Sequence, residues 1–159
     1  MTRSPLTLAF ASADDSARFA ADLGARLKAG DCVLFEGPIG AGKTHICRHL
    51  IQSLMDAPED VPSPTFTLVQ TYDTRAGEIW HADLYRLNGP AEIDELGLFD
   101  AFSTAICLVE WPDRLGKEAP ADALTVELAS DPGNEDVRTA TLTWSAPKWA
   151  QRLEHIAHD

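Results

Sequence analysis

Cys32-Val33-Leu34-Phe35-Glu36-Gly37-Pro38-Ile39-Gly40-Ala41-Gly42-Lys43-Thr44 runs an unbroken apolar stretch into a glycine-rich octad that ends in Gly-Lys-Thr. A continuous run of this kind suits a strand buried on both faces. The octad satisfies G-x-x-x-x-G-K-[ST]. Its glycines let successive backbone N–H groups wrap a phosphate with no Cβ in the way. A helix starting at Lys43 aims the positive end of its dipole at the same anion. Ile46, Leu50 and Leu54 recur every four residues behind it, so the required context of strand, loop and amphipathic helix is complete. The reading is a nucleoside triphosphate site. Gly37, Gly40, Ala41, Gly42, Lys43 and Thr44 cradle the phosphates, Lys43 reaches the β- and γ-phosphates, and the Thr44 hydroxyl ligates Mg²⁺.

Outward from this loop, strands and helices alternate, then strands follow. Residues 7–10 form a short strand. Asp14 or Asp15 caps a helix running to about Lys28, with Phe19, Leu23 and Leu27 on one face, and Ala29-Gly30 ends it. Residues 56–64 hold three prolines and three acids and read as a loop. Residues 66–72 and 78–85 read as strands joined by a turn at 73–77. Short helical pieces over 90–102 break at Gly97. Residues 105–109 are a second buried strand, ending in Glu110. Residues 124–129 and 138–144 alternate at period two around Asp131-Pro132-Gly133-Asn134, a hairpin. A final helix runs from Pro147 to about Ala157. The expected architecture is α/β, P-loop NTPase-like, with a mixed, mainly parallel sheet flanked by helices and one domain over residues 1–159.

Composition narrows the function. The 159 residues carry 25 acids against 13 bases, a formal charge of −12. Binding phosphate backbones needs clustered Lys and Arg, so the chain is a poor stand-alone nucleic-acid binder, and for any RNA a partner is expected to supply most of the positive surface. Cys32, Cys47 and Cys107 contain no C-x-x-C pair and read as reduced, buried small hydrophobes. No apolar stretch reaches membrane-spanning length, and the apolar run near the N-terminus is too short for a signal peptide. A cytoplasmic protein with no membrane role is expected. His45 and His49 stand four apart on one helix, but Arg48 occupies the place of a zincin glutamate, so they do not read as a metal pair. His155 and His158 lie near the C-terminus and read as solvated.

A P-loop enzyme also needs an acid at the end of a neighbouring strand. Glu110 is the better topological match, and Asp83, within Trp80-His81-Ala82-Asp83-Leu84-Tyr85-Arg86, is the second candidate. The pair divides two tasks: one acid organises Mg²⁺, and the other orients or activates the attacking water. No N-K-x-D element occurs, which favours ATP over GTP.

With Ser63-Pro64-Thr65-Phe66-Thr67, His81-x-Asp83-x-Tyr85-Arg86 and Val109-Glu110-Trp111-Pro112 in this order after the loop, the chain resembles the TsaE (YjeE) family, small bacterial ATPases of tRNA threonylcarbamoyladenosine biosynthesis. The resemblance implies ATP at residues 37–44 with Thr44 on the metal, and Thr65 close to the γ-phosphate as a sensor of nucleotide state. It also implies Asp83 as active-site acid, Glu110 as the Mg²⁺-linked acid, and Trp111 lining the site or a partner surface. It further implies partners: the TsaD–TsaB pair, which performs the transfer to tRNA while the ATPase resets the complex. Pro38 and Ile39 depart from the family's usual acid followed by Leu or Met, and His45 replaces a frequent second Thr. Adenine and ribose contacts are expected from the N-terminal segment and the late hairpin, with Arg138 a candidate. Two rival functions fit the same motifs: a nucleotide-dependent docking module in which hydrolysis is incidental, and a small-molecule kinase, which the lack of an Arg cluster disfavours.

Overall fold

The computed structural model describes residues 3–38 and 40–157. Ile39 of the loop and His158 lie outside the described residues. One sheet holds seven strands in the order β1-β7-β6-β2-β5-β4-β3. These are β1 (Leu6–Phe10), β2 (Cys32–Glu36), β3 (Val69–Thr74), β4 (Gly77–Asp83), β5 (Ile106–Glu110), β6 (Leu124–Asp131) and β7 (Asn134–Thr143). β2 pairs in parallel with both β5 and β6, and β5 with β4. The flanking pairs β1–β7, β6–β7 and β3–β4 are antiparallel. The sheet is thus mixed, with its parallel part at the centre.

The central strands follow from their sequences. Val33 and Phe35 of β2 and Ile106 and Leu108 of β5 enter one core with α1 (Ala13–Gly24) and α2 (Lys43–Ser53). Cys32, Leu34, Cys107 and Val109 enter the opposite core. That second layer contains α3 (Pro90–Asp94), α4 (Leu98–Ala101) and a 3-10 helix over Pro112–Glu118. Successive residues of a strand point to opposite faces, so both faces must be apolar when helices cover both. Burying one such Leu or Ile side chain contributes about 1.5–3 kcal/mol. The three cysteines are buried and unpaired, and burial pushes the Cys107 thiol up to about 12.

Local details differ from the sequence reading at several places. The strand expected over 66–72 begins at Val69 and runs to Thr74, and β4 starts at Gly77, so the turn expected over 73–77 shrinks to residues 75–76. The first helix is capped by Ser12, which accepts from Asp15 N, while Asp15 accepts from Ala11 N. Ser12 rather than Asp14 or Asp15 is thus the cap, and Asp15 ties down the amide of the residue before the cap. That helix stops at Gly24, and Leu27 reaches the core from the turn that follows. The last helix is two pieces, α5 (Pro147–Arg152) and α6 (Glu154–Ala157).

Behind β2, on the side away from the glycine loop, Asp31 is 2% exposed. Its oxygens accept from Lys28 N at 2.7 Å, from Lys148 Nζ at 2.9 Å, and from Arg152. Burial pulls the Lys148 pKa down, but Asp31 and Asp122 together outweigh it and hold the ammonium above its ordinary value. A group with a raised folded pKa stabilises most below its unfolded pKa, so this contribution is complete below about pH 10 and fades as pH rises through the folded value. Asp31→Ala takes the acid from partly buried Arg152 and leaves Lys148 with Asp122 alone, and is expected to cost about 2–4 kcal/mol in urea unfolding at neutral pH. A loss under about 0.5 kcal/mol would mark these contacts as surface pairs.

Candidate functional site

The site lies at the carboxyl ends of β2, β4 and β5. After β2 the chain turns at Gly37, whose φ is +141°. A Cβ there would meet the Leu128 carbonyl oxygen at 2.5 Å, so only glycine lets the loop pass β6. Gly40 and Gly42 also have positive φ, and Gly42 caps α2 with no side-chain bond to the helix amides. The first-turn N–H groups of α2 therefore face the loop without a side-chain acceptor, the arrangement that favours an anion.

Lys43 donates to the carbonyls of Gly37 at 2.5 Å and Pro38 at 2.9 Å. Its ammonium sits 4.2 Å from the centre of the Trp111 ring. Burial lowers its pKa, opposed by Glu110 and Asp83. Trp111 holds a left-handed backbone, φ 60° and ψ 56°, uncommon for a bulky residue and a source of local strain. That conformation turns the indole over Lys43 and beside Tyr85, with ring centres 4.8 Å apart. Trp111 lines the cavity rather than filling the core.

Thr44 donates from Oγ1 to Glu110 Oε1 at 2.8 Å. Glu110 Oε2 is 2.7 Å from His81 Nε2. Asp83 stands directly opposite Glu110 in the parallel register of β4 and β5. Its Oδ1 accepts from Tyr85 N at 3.0 Å and its Oδ2 from Thr65 Oγ1 at 3.3 Å. Thr65 is also within 2.7 Å of Ser63 Oγ. Thr65, Asp83, Glu110, Lys43, Thr44, Gly40 and Gly42 thus share one cavity of about 400 Å³. The oxygen donors of Thr44, Glu110 and Asp83 are hard ligands of the kind Mg²⁺ selects.

A second cavity of similar size lies across the loop, lined by Ser12, Ala13, Ala41, Leu128, Asp136 and Arg138. The N-terminal segment and the late hairpin meet there. His45 also lines it, and its Nε2 lies 3.2 Å from the Ala13 carbonyl. The sequence reading assigned no role to His81 or Tyr85. For His81 a signal was available: Ile79, His81 and Asp83 lie on one face of a strand, and a polar residue stands where that face should be apolar.

This is a P-loop NTPase-like fold. A family model described as "Threonylcarbamoyl adenosine biosynthesis protein TsaE" matches residues 10–139, and the chain belongs to the TsaE family. It is 40% identical over 117 residues to a Rickettsia bellii protein named tRNA threonylcarbamoyladenosine biosynthesis protein TsaE, covering 74% of this chain and 81% of that one. It is 33% identical over 131 residues to a Treponema pallidum protein of the same name, covering 81% and 96%. The crystal structure of Bacillus subtilis YdiB superposes with a TM-score of 0.79 at 25% identity, over 99% of this chain and 97% of that one. Among the described residues no helix is long and apolar enough to cross a membrane.

Gly37→Ala places a methyl against the β6 backbone at a forbidden φ. We expect a loss of about 1–3 kcal/mol in thermal or urea unfolding. Wild-type stability in this variant would show that the loop does not need its close approach to Leu128.

Proposed function

We propose that this chain is a Mg²⁺-dependent cytoplasmic ATPase of one domain that supports N6-threonylcarbamoyladenosine modification of tRNA by acting on the TsaD–TsaB pair. It does not itself transfer the threonylcarbamoyl group. The observation that carries the reading is the 2.8 Å bond from Thr44 to Glu110 at the foot of a glycine-capped helix. Family membership supports the pathway. The net charge of −12 favours contact with tRNA only through the protein complex.

The residues divide the work as follows. Backbone amides of Gly40, Ala41, Gly42, Lys43 and Thr44, together with the Lys43 ammonium, hold the β- and γ-phosphates. A hydroxyl has one proton and two acceptor lone pairs. Thr44 donates its hydroxyl hydrogen bond to Glu110, so its lone pairs would be left for a metal, and Glu110, which fixes the hydroxyl, would belong to that metal's surroundings. Thr44, Glu110 and Asp83 would hold Mg²⁺, which would supply positive charge against that developing on the phosphate oxygens. Asp83, fixed by Tyr85 N and Thr65, orients the attacking water. The water oxygen bonds to the γ-phosphorus as the bond from that phosphorus to the bridging oxygen breaks; the electron pair leaves on ADP and the water's proton passes to the released phosphate. Thr65 senses the γ-phosphate through its contact with Asp83. Base and ribose enter the second cavity beside Arg138, and the missing N-K-x-D element favours adenine.

One observation favours a second reading, a nucleotide-dependent docking module. Phe66, next to Thr65, is 83% exposed and has Arg86 over its ring at 5.7 Å. Glu110→Gln in a reconstituted modification system separates the two. Full repeated modification by that variant would favour docking alone, and arrest after one round favours ATP hydrolysis.

Lys43→Ala is expected to weaken ATP binding about 100-fold in calorimetry, from loss of a charged contact. Unchanged affinity would remove Lys43 from the phosphate site. Asp83→Asn is expected to bind ADP within about twofold of wild type while turnover falls about 100-fold or more. A normal hydrolysis rate would rule out its role with water.

A further inference from the structure

We propose that His81 is a positioning residue for Glu110: it fixes the carboxylate so that Oε1 meets Thr44 and the metal edge of the site is preset. The inference rests on the ATPase reading above and deepens it. His81 is wholly buried, and Glu110 is 2% exposed. Carboxylate oxygens only accept, so the 2.7 Å contact makes His81 Nε2 the donor. Its Nδ1 has no partner among the described residues. An imidazole with a single polar partner, in a layer otherwise formed by Ile79, Leu108 and Cys47, is costly to bury. Leucine or isoleucine would fill this place in the strand at lower cost.

What His81 supplies in return follows from glutamate geometry. The terminal torsion of Glu is broad and nearly twofold, so one bond from Thr44 leaves the carboxylate free to swing. A second bond, to the other oxygen and from the adjacent strand β4, removes that freedom. β4 and β5 are in parallel register with His81 opposite Leu108 and Asp83 opposite Glu110. The imidazole therefore rises from one step below the acid pair. Cys47 completes the pocket: its Sγ lies within 4.8 Å of ligand atoms of both His81 and Glu110, and burial keeps it a neutral thiol. Partners of this kind behind metal-linked side chains change metal affinity or activity about 10- to 100-fold when removed.

The test compares His81→Leu, His81→Gln and His81→Asn. Gln places its amide nitrogen at the Nε2 position, counted along the chain, and Asn places it at Nδ1, short of Glu110. ADP affinity without divalent ion should stay within about twofold in all three. Mn²⁺ binding to the ADP complex, read by electron paramagnetic resonance, should weaken about 10-fold or more in Leu and Asn and recover in Gln. The Mg²⁺ concentration for half-maximal hydrolysis should move in parallel. If the Leu variant does not fold, the Gln–Asn pair carries the comparison. Long-range ¹⁵N–¹H correlation on the wild type should show the His81 ring proton on Nε2. Wild-type Mn²⁺ affinity in Leu or Asn, a Gln variant as impaired as Asn, or a proton on Nδ1 alone would overturn the proposal. A wild type that hydrolyses no ATP with its partners would instead overturn the ATPase reading, and the Mn²⁺ and ring-proton measurements would still decide the role of His81.

Discussion

Glu110 is a carboxylate taken almost wholly out of water at the end of the most protected strand. Such a group is costly to bury unless its oxygens are engaged. Here one oxygen faces Thr44, on the helix that the glycine loop begins, and the other faces His81, on the adjacent strand. Through these two bonds α2, β4 and β5 are held in one geometry. The loop cannot drift from the sheet without stranding a buried charge. The remaining features of the site, Asp83 opposite in register and Thr65 bonded to Asp83, are arranged around that fixed point.

The two cavities lie on either side of the loop and draw on different parts of the sheet. The first uses the ends of the parallel strands β4 and β5 together with Thr65 and Tyr85. The second uses the start of α1 and the antiparallel hairpin, through Ser12, Leu128, Asp136 and Arg138. Gly42 and His45 border both. A long ligand with a charged end and a flat end would therefore straddle the loop. Its two ends would be held by elements that do not otherwise touch one another's chemistry.

The central strands were legible because both-face burial leaves an unbroken apolar run, and the loop because its glycines and Lys43-Thr44 have a single physical use. Gly40, Gly42, Lys43, Thr44, Thr65, Asp83 and Glu110 were found from motif and resemblance, and they line one cavity, whereas Ala41 lines the second and Gly37 lines neither. His81 stayed unassigned because a polar residue in an alternating strand usually means solvent, and only the pairing of β4 with β5 shows what it faces. Ser12 was missed because Ser12, Asp14 and Asp15 are all good caps, and the choice depends on where the preceding strand delivers the chain. The break at Leu153 has no Gly or Pro to announce it. Trp111 was ambiguous since its placement follows from a left-handed backbone that sequence does not encode in a residue of this size.

Asp31 and the strand it precedes set a condition on how the chain can be made. β2 pairs only with β5 and β6, both more than sixty residues later, and its base is clasped by Lys148 and Arg152. As the polypeptide emerges from the ribosome, the segment bearing the glycine loop therefore has no neighbours to pair with until most of the sequence has been translated. Contacts this distant in sequence slow folding, because loop closure must come before they can form. The segment bearing the glycine loop thus precedes its pairing partners in the chain and is among the last parts to be secured. A nascent chain of this kind must be shielded, or must stay soluble by its own acidity, until the C-terminal helix arrives.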